Sequence, residues 1–338
     1  MLRRAGPQDS ERICALLAEV FPANPKADPE VLAWQYWDNP WGTTASWVED
    51  DDGALQAHYA VIAIPGRLDG RPAQAGMGVD AATRDRARGR GLFSALAKAA
   101  YGSAAEEGCR VAFTAPNPHS LKGVQNAGLA RLADLTVWVR PLDDAWLGRR
   151  THLPASLAGA ARAALFRARV VGDLRGEEVE APPDGLDALW ARTAPGVPWG
   201  VTSDAAWWRW RFAERPHARY RLFATHRGGK LVGAAALVEH AGYGGRFLIV
   251  AELLADDPAA AAATLAPALA DPRGAVGLAA VALPGTRLAA MVRGAGLRRL
   301  PRRLEPRPLH FGVMRGDPDL PDLTQVPWSV SWSLLDHL

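Results

Sequence analysis

Apolar residues recur at two spacings along the chain, and these spacings predict an alternation of strands and helices. Residues 76–83 alternate small and apolar side chains, as strands do, whereas Leu92, Leu96 and Ala100 lie at helical spacing. The remaining elements of the first half follow in the same way. Strands are expected at 2–5, 44–48, 55–63, 110–115 and 136–140, a hairpin turn at 51–53, and helices from Asp9 and from Asp28 onward.

The second half of the chain repeats the plan of the first. Its tryptophan-rich segment 207–212 echoes 34–40, and Pro284 and Ala295 repeat Pro116 and Ala127 at an offset of 168 positions (284 − 116 and 295 − 127). A constant offset of this length predicts an internal duplication at the scale of a domain. Strands are predicted at 219–225, 231–239, 246–254 and 279–283, with a helix over 258–270.

The two halves are joined by a segment of different composition. Residues 147–172 are rich in alanine and arginine and contain no aspartate or glutamate, which predicts a bridging helix. A cationic helix on a membrane surface is the alternative, although its apolar residues mostly do not fall on a clean face. Residues 177–185 are charged and proline-rich, as linkers are. The predicted domains are therefore 1–145 and 181–338, with the helix and linker at 146–180.

Composition and charge narrow the class of protein. The 338 residues fit about two domains of ~150 residues each. Two cysteines are too few for a disulfide framework and favour a reducing compartment. No apolar run reaches the ~18 residues of a membrane span, and no signal core follows the N-terminus, so a cytoplasmic location without a membrane partner is expected. The net charge of +3 is too small to argue for a nucleic-acid partner.

The candidate chemistry lies where the strand over 76–83 hands over to the helix from Leu92. The intervening turn, Arg84 to Gly91, contains four arginines and two glycines. Glycine lets backbone amides face a ligand, and a helix N-terminus offers unpaired N–H groups with a partial positive charge. The turn therefore predicts a pyrophosphate site, with a basic solvated turn as the simpler alternative. It matches neither the NTP-hydrolysing P-loop nor the Gly-x-Gly-x-x-Gly dinucleotide fingerprint.

The same turn resembles motif A of the GNAT acetyltransferase superfamily, Gln/Arg-x-x-Gly-x-Gly/Ala. Arg88 and Gly91 fill the first and fourth positions, and Phe93 stands at the sixth, where glycine or alanine is usual. The resemblance implies that loop amides bind the pyrophosphate of acetyl-CoA and that the preceding strand holds the pantetheine arm. The residues implied to bind acetyl-CoA are Ala81, Ala82, Thr83, Arg86, Arg88, Gly89, Arg90, Gly91, Leu92, Phe93, Asn117 and Ser120.

A second stretch resembles the family pattern Asn-x-x-Ala/Ser-x-x-x-Tyr-x-x-x-Gly-Phe. Asn117, Ser120, Gly128 and Leu129 match in spacing, but Val124 stands where the tyrosine belongs. In GNAT enzymes that carry it, this tyrosine is placed to protonate the departing CoA thiolate. The resemblance therefore leaves that proton to water, to Ser120 one helical turn before Val124, or to a donor from the second domain. The two motifs cover about residues 1–142 in the family's order.

The resemblance implies an α/β (α+β) fold of two tandem GNAT-like domains, each with a mixed, mostly antiparallel sheet flanked by helices. It implies an acetyl-CoA-dependent N-acyltransferase that moves acetyl directly to a primary amine of a small molecule or peptide, without a metal. A related aminoacyl or acyl transferase and a CoA-binding regulatory module without turnover are the alternatives. The residues do not indicate the acceptor or the oligomeric state.

The general base and the acceptor cleft have only candidates. The base must take a proton from the attacking amine, and Asp80, His58, His119 and Glu49 could each do so. Each has a structural alternative: a strand-surface carboxylate, a plain strand residue, a helix cap and a turn residue, respectively. The aromatic residues of the second helix line the acceptor cleft or pack in the core; they are Trp34, Tyr36, Trp37 and Trp41.

The second half departs from the first at the critical turn. It has Ala255-Asp256-Asp257-Pro258 where the first half has Arg84 to Gly91. Two carboxylates capping the following helix would repel a pyrophosphate, and no arginine or glycine stands near them in sequence. The second domain is therefore predicted to be a degenerate GNAT-like domain, and the chain is predicted to bind one CoA.

Overall fold

The fold is taken from a computed structural model that describes residues 1–22, 27–51, 53–168, 172–217, 219–242, 244–301, 304–305 and 308–335. Asp52 of the predicted hairpin turn and residues 169–171 of the predicted bridging helix lie outside the described residues. In chain order, the elements up to the middle of the chain are β1 (Leu2–Arg4), α1 (Ser10–Val20), α2 (Pro29–Leu32), β2 (Ala45–Asp51), β3 (Ala54–Leu68), β4 (Arg71–Thr83), α3 (Leu92–Glu106), β5 (Val111–Thr114), α4 (Pro118–Asn126), β6 (Ala130–Asp134), β7 (Val137–Pro141), α5 (Asp144–Thr151) and α6 (Ala155–Leu165).

The later elements follow the same alternation of strands and helices. They are β8 (Gly176–Val179), α7 (Leu186–Thr193), β9 (Gly200–Val201), α8 (Ala205–Trp208), β10 (Arg221–Arg227), β11 (Lys230–Gly242), β12 (Gly245–Ala255), α9 (Pro258–Ala270), β13 (Gly277–Val281), α10 (Arg287–Gly294), β14 (Arg298–Arg299) and β15 (His310–Arg315). The result is a mixed α/β fold with two mostly antiparallel sheets, as the sequence predicts.

The first compact unit comprises residues 1–134, 215–217 and 308–326. Its strands run in the order β1-β2-β3-β4-β5-β15-β6, with β4 and β5 parallel and the other pairs antiparallel. Alternating residues of β3 face α3, because side chains of a strand point to opposite faces in turn. The resulting core includes Tyr59, Val61, Leu96, Ala100 and Tyr101.

The second compact unit contains the rest of the described chain. Its strands run in the order β14-β7-β13-β12-β11-β10-β8. Helices α9 and α10 supply alanine, leucine and methionine side chains to a core with the central strands. The alanine-rich composition of α9 lets this helix lie close to the sheet, as the fully buried Ala260 and Ala261 show.

Two strands lie in sheets that their sequence positions do not suggest. The predicted strand at 136–140 exists as β7, but it pairs with β13 and β14 in the second sheet rather than closing the first. The first sheet is completed by β15, which inserts between β5 and β6. The compact units therefore do not follow the predicted boundaries at 145 and 181. Strand pairing is long-range, so the periodicity of one strand does not reveal its partner.

The junction between the halves also differs from its prediction. The expected bridging helix over 147–172 is two helices, α5 and α6, with Pro154 between them. A proline disfavours the helical conformation of the residue before it, which ends α5 at this point. The expected linker at 177–185 overlaps β8, which pairs with β10 at the edge of the second sheet.

The two halves share local features that the duplication predicts. A four-residue helix capped by an aspartate, Asp28 or Asp204, leads in each half into a π-helical segment, Ala33–Trp37 or Arg209–Ala213. The long strands β4 and β12 each carry a bulge before they end. No helix among the described residues is long and apolar enough to cross a membrane.

Candidate functional site

The turn from Arg84 to Gly91 has a backbone that only glycine adopts readily at two positions. Gly89 and Gly91 have φ values of 80° and 74°, in the left-handed region. A Cβ atom built on either glycine would have no atom within 4 Å, so both glycines face open space. The turn therefore presents its backbone on an open side, as a ligand-binding loop must.

The N-terminus of α3 follows the turn directly, and no side chain caps it. Gly91 is its N-cap residue, no side chain caps the helix, and its first turn contains no acidic residue. The first amides of an α-helix have no partner within the helix and favour an anion. The 15-residue α3 therefore offers uncapped amides where the predicted pyrophosphate would lie.

Arginines of this turn line an open cleft of about 420 Å³. Its walls are formed by Glu19, Val20, Arg84, Asp85, Arg86 and Arg88. Arg88 makes a 2.9 Å ion pair with the exposed Asp85, and Arg84 makes a 3.0 Å ion pair with Glu19. The Arg88–Asp85 pair is exposed and such pairs contribute little stability, so an anionic ligand can compete for Arg88.

Two polar atoms beside the cleft fit a ligand that supplies hydrogen bonds. Thr83 Oγ1 and Arg84 Nε are buried and have no hydrogen-bond partner within the described structure. Buried polar groups are otherwise nearly always paired, so these atoms suit a site whose partner is a bound molecule. The residues present therefore fit a pyrophosphate-bearing ligand. Arg86 is held by Gln56 at 3.1 Å, and Arg90 lies 4.0 Å from Glu49.

The pairing between β4 and its parallel neighbour β5 ends before β4 reaches the turn. The β4–β5 pairing ends at Met77 opposite Phe113, and Thr114 Oγ1 donates a 3.0 Å hydrogen bond to the Gly78 carbonyl at that point. Beyond Gly78, β4 continues to Thr83 while β5 stops, so the β5 side of residues 81–83 is not paired with β5. This edge can accept an extended ligand chain as an added strand would be accepted.

A bulge in β4 gives Asp80 an unusual position. His58 pairs with Ala82 and Ala60 with Val79, so Asp80 and Ala81 together oppose one residue of β3. Asp80 has a φ of 50° and is 6% exposed. The structural alternative of a strand-surface carboxylate is therefore wrong, because the bulge turns this side chain into the protein.

Asp80 lies in a buried cluster of polar side chains. The Tyr36 hydroxyl donates a 2.8 Å hydrogen bond to Asp80 Oδ2, and the Tyr36 ring stacks on the His58 ring at 5.9 Å. His58 Nδ1 lies 2.8 Å from the Asp80 carbonyl, and Ser46 Oγ lies 3.0 Å from His58 Nε2. Because a carbonyl only accepts, Nδ1 carries the proton and Nε2 accepts from Ser46.

Burial sets the protonation states in this cluster. Desolvation lowers the pKa of His58 and raises the pKa of Tyr36 well above its ordinary value, so both rings are neutral at neutral pH. Nδ1 of His58 holds the bulge through the Asp80 carbonyl and Nε2 is taken up by Ser46 of β2, so His58 is a positioning residue rather than a free base. It lies in strand β3, as its structural alternative expects, with both nitrogens engaged.

The remaining base candidates do not join this cluster. Glu49 lies in β2 rather than in a turn, and it pairs with the N-terminal amine at 3.2 Å. His119 is exposed in the first turn of α4, which is capped by Asn117 and not by His119. Among the described contacts, none links either side chain to Asp80.

The second predicted motif forms α4 and its cap. The Asn117 side chain accepts hydrogen bonds from the amides of His119 and Ser120, and Ser120 Oγ lies 3.2 Å from Asn117 Oδ1. Val124 is only 1% exposed and belongs to the core beneath α3. A tyrosine at this position would overpack this core.

Phe93, the unusual residue of motif A, is accommodated by a glycine. Its ring lies against Gly123 of α4 so closely that a Cβ atom at Gly123 would clash with it. The ring also meets Tyr59 edge to face at 5.6 Å. Because Gly123 has no side chain, the Phe93 ring fits at a position where the family motif usually has glycine or alanine.

Several residues of the site escape prediction from sequence. Gln56, Ser46 and Glu19 contact the loop or the Asp80 cluster, and Tyr59 and Tyr101 share a buried 2.8 Å hydrogen bond beside Gly78. Ser46 pairs with Ala60, two residues along β3 from His58. The register of β2 on β3 is therefore the signal that could have placed Ser46 near His58. The aromatics at 34–41 are predicted to line the acceptor cleft or to pack in the core, and the contact of Tyr36 with Asp80 is not among these expectations. Trp34 and Tyr36 are buried, and Trp37 and Trp41 are partly exposed.

The corresponding turn of the second unit is closed by its own side chains. Asp257 caps α9 by accepting from the amides of Ala259 and Ala260. Asp256 does not cap the helix but pairs with Arg192 at 3.0 Å. No arginine stands near this turn in sequence, but the fold brings two more to it: Arg287 donates to the carbonyls of Ala255 and Asp256, and Arg227 pairs with Asp257. All three arginines already have partners there.

One group of described residues could gather a metal ion. Asp28, Glu30 and His217 bring a ligand atom each within 4.8 Å of the others. All three side chains are partly or fully exposed, and His217 also makes ordinary contacts of 3.3 and 3.6 Å with the two carboxylates. The arrangement is that of a surface ion-pair group away from the Arg84–Gly91 turn in sequence.

Comparisons with known proteins agree with this geometry. Residues 1–123 match the family model described as an acetyltransferase (GNAT) domain. None of the curated proteins matches the chain in sequence. Among solved structures, a GCN5-related N-acetyltransferase from Anabaena variabilis has a TM-score of 0.67 at 11% identity, covering 94% of this chain and 73% of its own.

Two further structures have the same fold. A GCN5-related N-acetyltransferase from Kribbella flavida has a TM-score of 0.58 at 12% identity, covering 93% of this chain and 70% of its own. Eis1 from Mycobacterium abscessus has a TM-score of 0.55 at 15% identity, covering 94% of this chain and 73% of its own. The N-terminal part of this chain thus matches the model of a GNAT acetyltransferase domain, and the two sheets are consistent with a tandem arrangement.

Proposed function

We propose that the chain is an N-acetyltransferase that moves acetyl from acetyl-CoA to a primary amine of a small molecule or peptide. The observation that carries this proposal is that Gly89 and Gly91, which have left-handed backbone conformations and face open space, lie directly before the uncapped N-terminus of α3. Together with the arginine-lined cleft, they suit a pyrophosphate at Arg88 to Leu92. The unpaired edge of residues 81–83 suits the pantetheine arm.

The transfer needs one bond to form and one to break. The neutral amine attacks the thioester carbonyl, the C–N bond forms, the C–S bond breaks, and the amine proton must pass to a base. We assign that base to Asp80, directly or through one water, because it is the acidic candidate that the bulge brings to the start of the free β4 edge. A backbone N–H of this edge would stabilise the oxyanion.

The departing thiolate also needs a proton. Val124 cannot donate one, so we assign this step to water or to Ser120. A thiol with an ordinary pKa of about 8.5 is a tolerable leaving group, so the missing tyrosine does not by itself prevent turnover. Acetyl-CoA is a cosubstrate here, and the proposed chemistry uses no metal.

The second unit has a different role in this proposal. Asp257 occupies the amides of α9, and Arg192, Arg227 and Arg287 are already engaged, so we propose that this unit is a degenerate GNAT-like domain that binds no CoA. The protein would then bind one CoA per chain. Free, buried Cys14 and Cys109 support a cytoplasmic location.

Turnover against a panel of amines tests the proposal. Wild type should release CoA thiol only when acetyl-CoA and a suitable amine are both present, with an acetylated product detected by mass spectrometry. Arg88→Glu should lower kcat/KM at least about tenfold, since a charge-assisted hydrogen bond contributes about 1.5–3 kcal/mol. Arg71→Glu, at the far end of β4, is the matched control and should leave it unchanged.

The absence of the tyrosine favours one competing function. If wild type binds acetyl-CoA but acetylates no amine of a broad panel, the chain is a CoA-binding regulatory module instead. If longer acyl-CoA or aminoacyl donors are used in preference to acetyl-CoA, it is a related acyl transferase.

A further inference from the structure

A histidine–carboxylate pair joins β15 to β6 in the first unit. His310 and Asp134 are directly opposite each other in these strands, and His310 Nδ1 lies 2.7 Å from Asp134 Oδ1. Arg131 Nη2 donates a 2.6 Å hydrogen bond to the same carboxylate oxygen. His310 is only 7% exposed. Neither residue belongs to a sequence motif, because the pair joins positions that are 176 residues apart.

The protonation of this pair follows from its partners. Burial raises the pKa of Asp134, but hydrogen bonds from Arg131 and His310 outweigh burial and lower this pKa below its usual value. Asp134 is therefore ionised at neutral pH and can only accept, so His310 Nδ1 carries a proton. Nε2 has no hydrogen-bond partner among the described residues. A carboxylate that holds Nδ1–H orients the ring and stabilises its charged form, which leaves Nε2 to exchange a proton with another group.

The strand order places His310 at the edge of the sheet where β4 and β5 separate. β15 pairs with β5 as far as Gly312 opposite Thr114, the last residue of β5, so His310 extends two residues beyond the end of β5. Residues 79–83 of β4 extend beyond β5 at the same edge, because β4 and β5 are parallel. β4 and β15 flank β5, so at its end they are two strand spacings apart, about 10 Å. An extended ligand chain beside residues 81–83 would enter the gap between these two strands.

His310 lies on the face of the sheet that α3 and α4 cover. Gly312 and Met314 follow His310 at alternate positions of β15, so the three residues share a face. A Cβ atom at Gly312 would clash with the Leu129 side chain, and Met314 packs against the core cluster that contains Leu129 and Val124. Val124 of α4 stands where the family motif has its tyrosine. His310 is therefore on the same face as the position of the missing proton donor.

Asp80, the proposed base, lies on the other face. Its carbonyl is 2.8 Å from His58 Nδ1, and its carboxylate accepts from Tyr36. His58 and Tyr59 are consecutive in β3 and point to opposite faces, and Tyr59 belongs to the core on the His310 side. A thioester in the gap between β4 and β15 would therefore have a proton acceptor on one face of the sheet and a proton donor on the other.

We propose that the Asp134–His310 pair supplies the proton that the departing CoA thiolate takes up through a bridging water. This inference rests on the proposed acetyl transfer. As the C–S bond breaks, its electron pair goes to sulfur; the thiolate takes a proton from the water, and the water takes one from Nε2–H of His310. His310 is left neutral, with Nδ1–H still held by Asp134, and recovers its proton from solvent. The amine proton passes separately to Asp80.

A substitution that keeps the hydrogen bond but removes the proton donor tests this inference. His310→Asn can still donate to Asp134 from its side-chain amide, but it has no atom in the place of Nε2. It should lower kcat about 10²-fold, the low end of a general-acid effect, with acetyl-CoA affinity and melting temperature near those of wild type. A merely structural pair would tolerate this change, because the link between the strands is kept.

Two further variants complete the set. Asp134→Asn keeps an acceptor for Nδ1–H but removes the charge that stabilises the protonated ring, and it should lower kcat at least ~10-fold. It decides the matter if His310→Asn does not fold. His226→Asn is the matched control, because it removes the histidine of a histidine–carboxylate pair in the second unit, 3.6 Å from Glu177, and should leave kcat unchanged.

Nitrogen NMR gives a readout that needs no turnover. In protein with isotope-labelled histidine, saturating CoA should shift the Nε2 signal of His310, assigned by its loss in His310→Asn, and should leave the His226 signals unchanged. An unshifted His310 signal, or a wild-type kcat of His310→Asn or Asp134→Asn in an enzyme that acetylates amines, overturns the inference and leaves the proposed function standing. Wild type that binds acetyl-CoA but acetylates no amine overturns both.

Discussion

The Tyr36 hydroxyl donates a 2.8 Å hydrogen bond to the Asp80 carboxylate, and Asp80 is itself the residue of the β4 bulge with a left-handed backbone. A non-glycine residue keeps such a backbone conformation only when its surroundings enforce it. Here Tyr36 holds the side chain and His58 holds the main-chain carbonyl. The π-helical segment that contains Tyr36 is itself a feature found often at functional sites.

Replacing the Asp80 carboxyl group should slow acetyl transfer strongly while leaving the fold intact. Asp80→Asn keeps the side-chain shape and tolerates the left-handed backbone. We expect kcat/KM to fall about 10²- to 10⁴-fold, the usual contribution of a general base, with little change in acetyl-CoA affinity. Tyr36→Phe should lower kcat/KM less than Asp80→Asn does, because the carboxylate remains in the bulge but loses the hydroxyl that holds it.

The control for this pair is acetyl-CoA affinity, measured with the melting temperature. A purely structural role would lower the melting temperature and acetyl-CoA binding together with kcat/KM, whereas a base lowers kcat/KM alone. An Asp80→Asn enzyme with the wild-type rate would show that another group accepts the proton.

Ser120 should be dispensable if water protonates the thiolate. Its hydroxyl already contacts the carbonyl and side chain of Asn117 at 3.2 Å, so it is not held free for catalysis. We expect Ser120→Ala to reduce kcat less than ~10-fold, below the full effect of a general acid. Complete loss of turnover with unchanged acetyl-CoA binding, measured by single-turnover kinetics and calorimetry, would rule out the water route.

Gly78 should be required for packing at the point where β4 and β5 separate. A Cβ atom there would lie 2.5 Å from the Tyr101 hydroxyl and 2.7 Å from the Tyr59 hydroxyl. We expect Gly78→Ala to lower the free energy of unfolding in urea by about 1–3 kcal/mol, as overpacking does.

Gly102 of α3 offers the matched control for that substitution. It is exposed in the helix, and a Cβ atom there would have no atom within 4 Å outside the helix backbone. Gly102→Ala should raise the free energy of unfolding by about 0.5–1 kcal/mol, because alanine favours the helix. Equal effects of the two substitutions would mean that the phenol pair moves aside without cost.

The first unit should lose stability in acid because Asp50 is protonated there and its ion pairs are lost. Arg12 and Arg3 each donate a 2.7 Å hydrogen bond to its carboxylate, and these bonds lower the pKa of Asp50 to about 2. A folded-state pKa below the unfolded value means that this stability is present above about pH 4 and is lost as the pH falls through about 2. Urea unfolding of Asp50→Asn should show a smaller loss of stability over this range than wild type. Asp51→Asn, an exposed neighbour, should behave as wild type.

Local features of the site could be predicted from sequence because local residues determine them. The arginine and glycine turn, the strand before it and the helix after it follow from residues 76–106 alone, and Asn117 caps α4 where the second motif places it. Asp257 likewise caps α9 as expected. Backbone conformation and helix capping depend on neighbours within a few residues.

Features that depend on distant residues could not be predicted in this way. The exchange of β7 and β15 between the sheets requires pairing between strands that are far apart in sequence. The burial of Asp80 depends on a bulge, which shifts the register by one residue without a sequence signal. Arg192, Arg227 and Arg287 reach the Asp256–Asp257 turn only through the fold, so the sequence around that turn does not reveal them.

Calorimetric titration with acetyl-CoA tests the central claim most directly. Wild type should bind one molecule per chain at the turn from Arg88 to Leu92, and Arg88→Glu should bind at least ~10-fold more weakly, in line with the loss of a charge-assisted contact. Arg71→Glu should keep the wild-type affinity and stoichiometry. Unchanged affinity of Arg88→Glu, or two molecules bound per chain, would contradict the account.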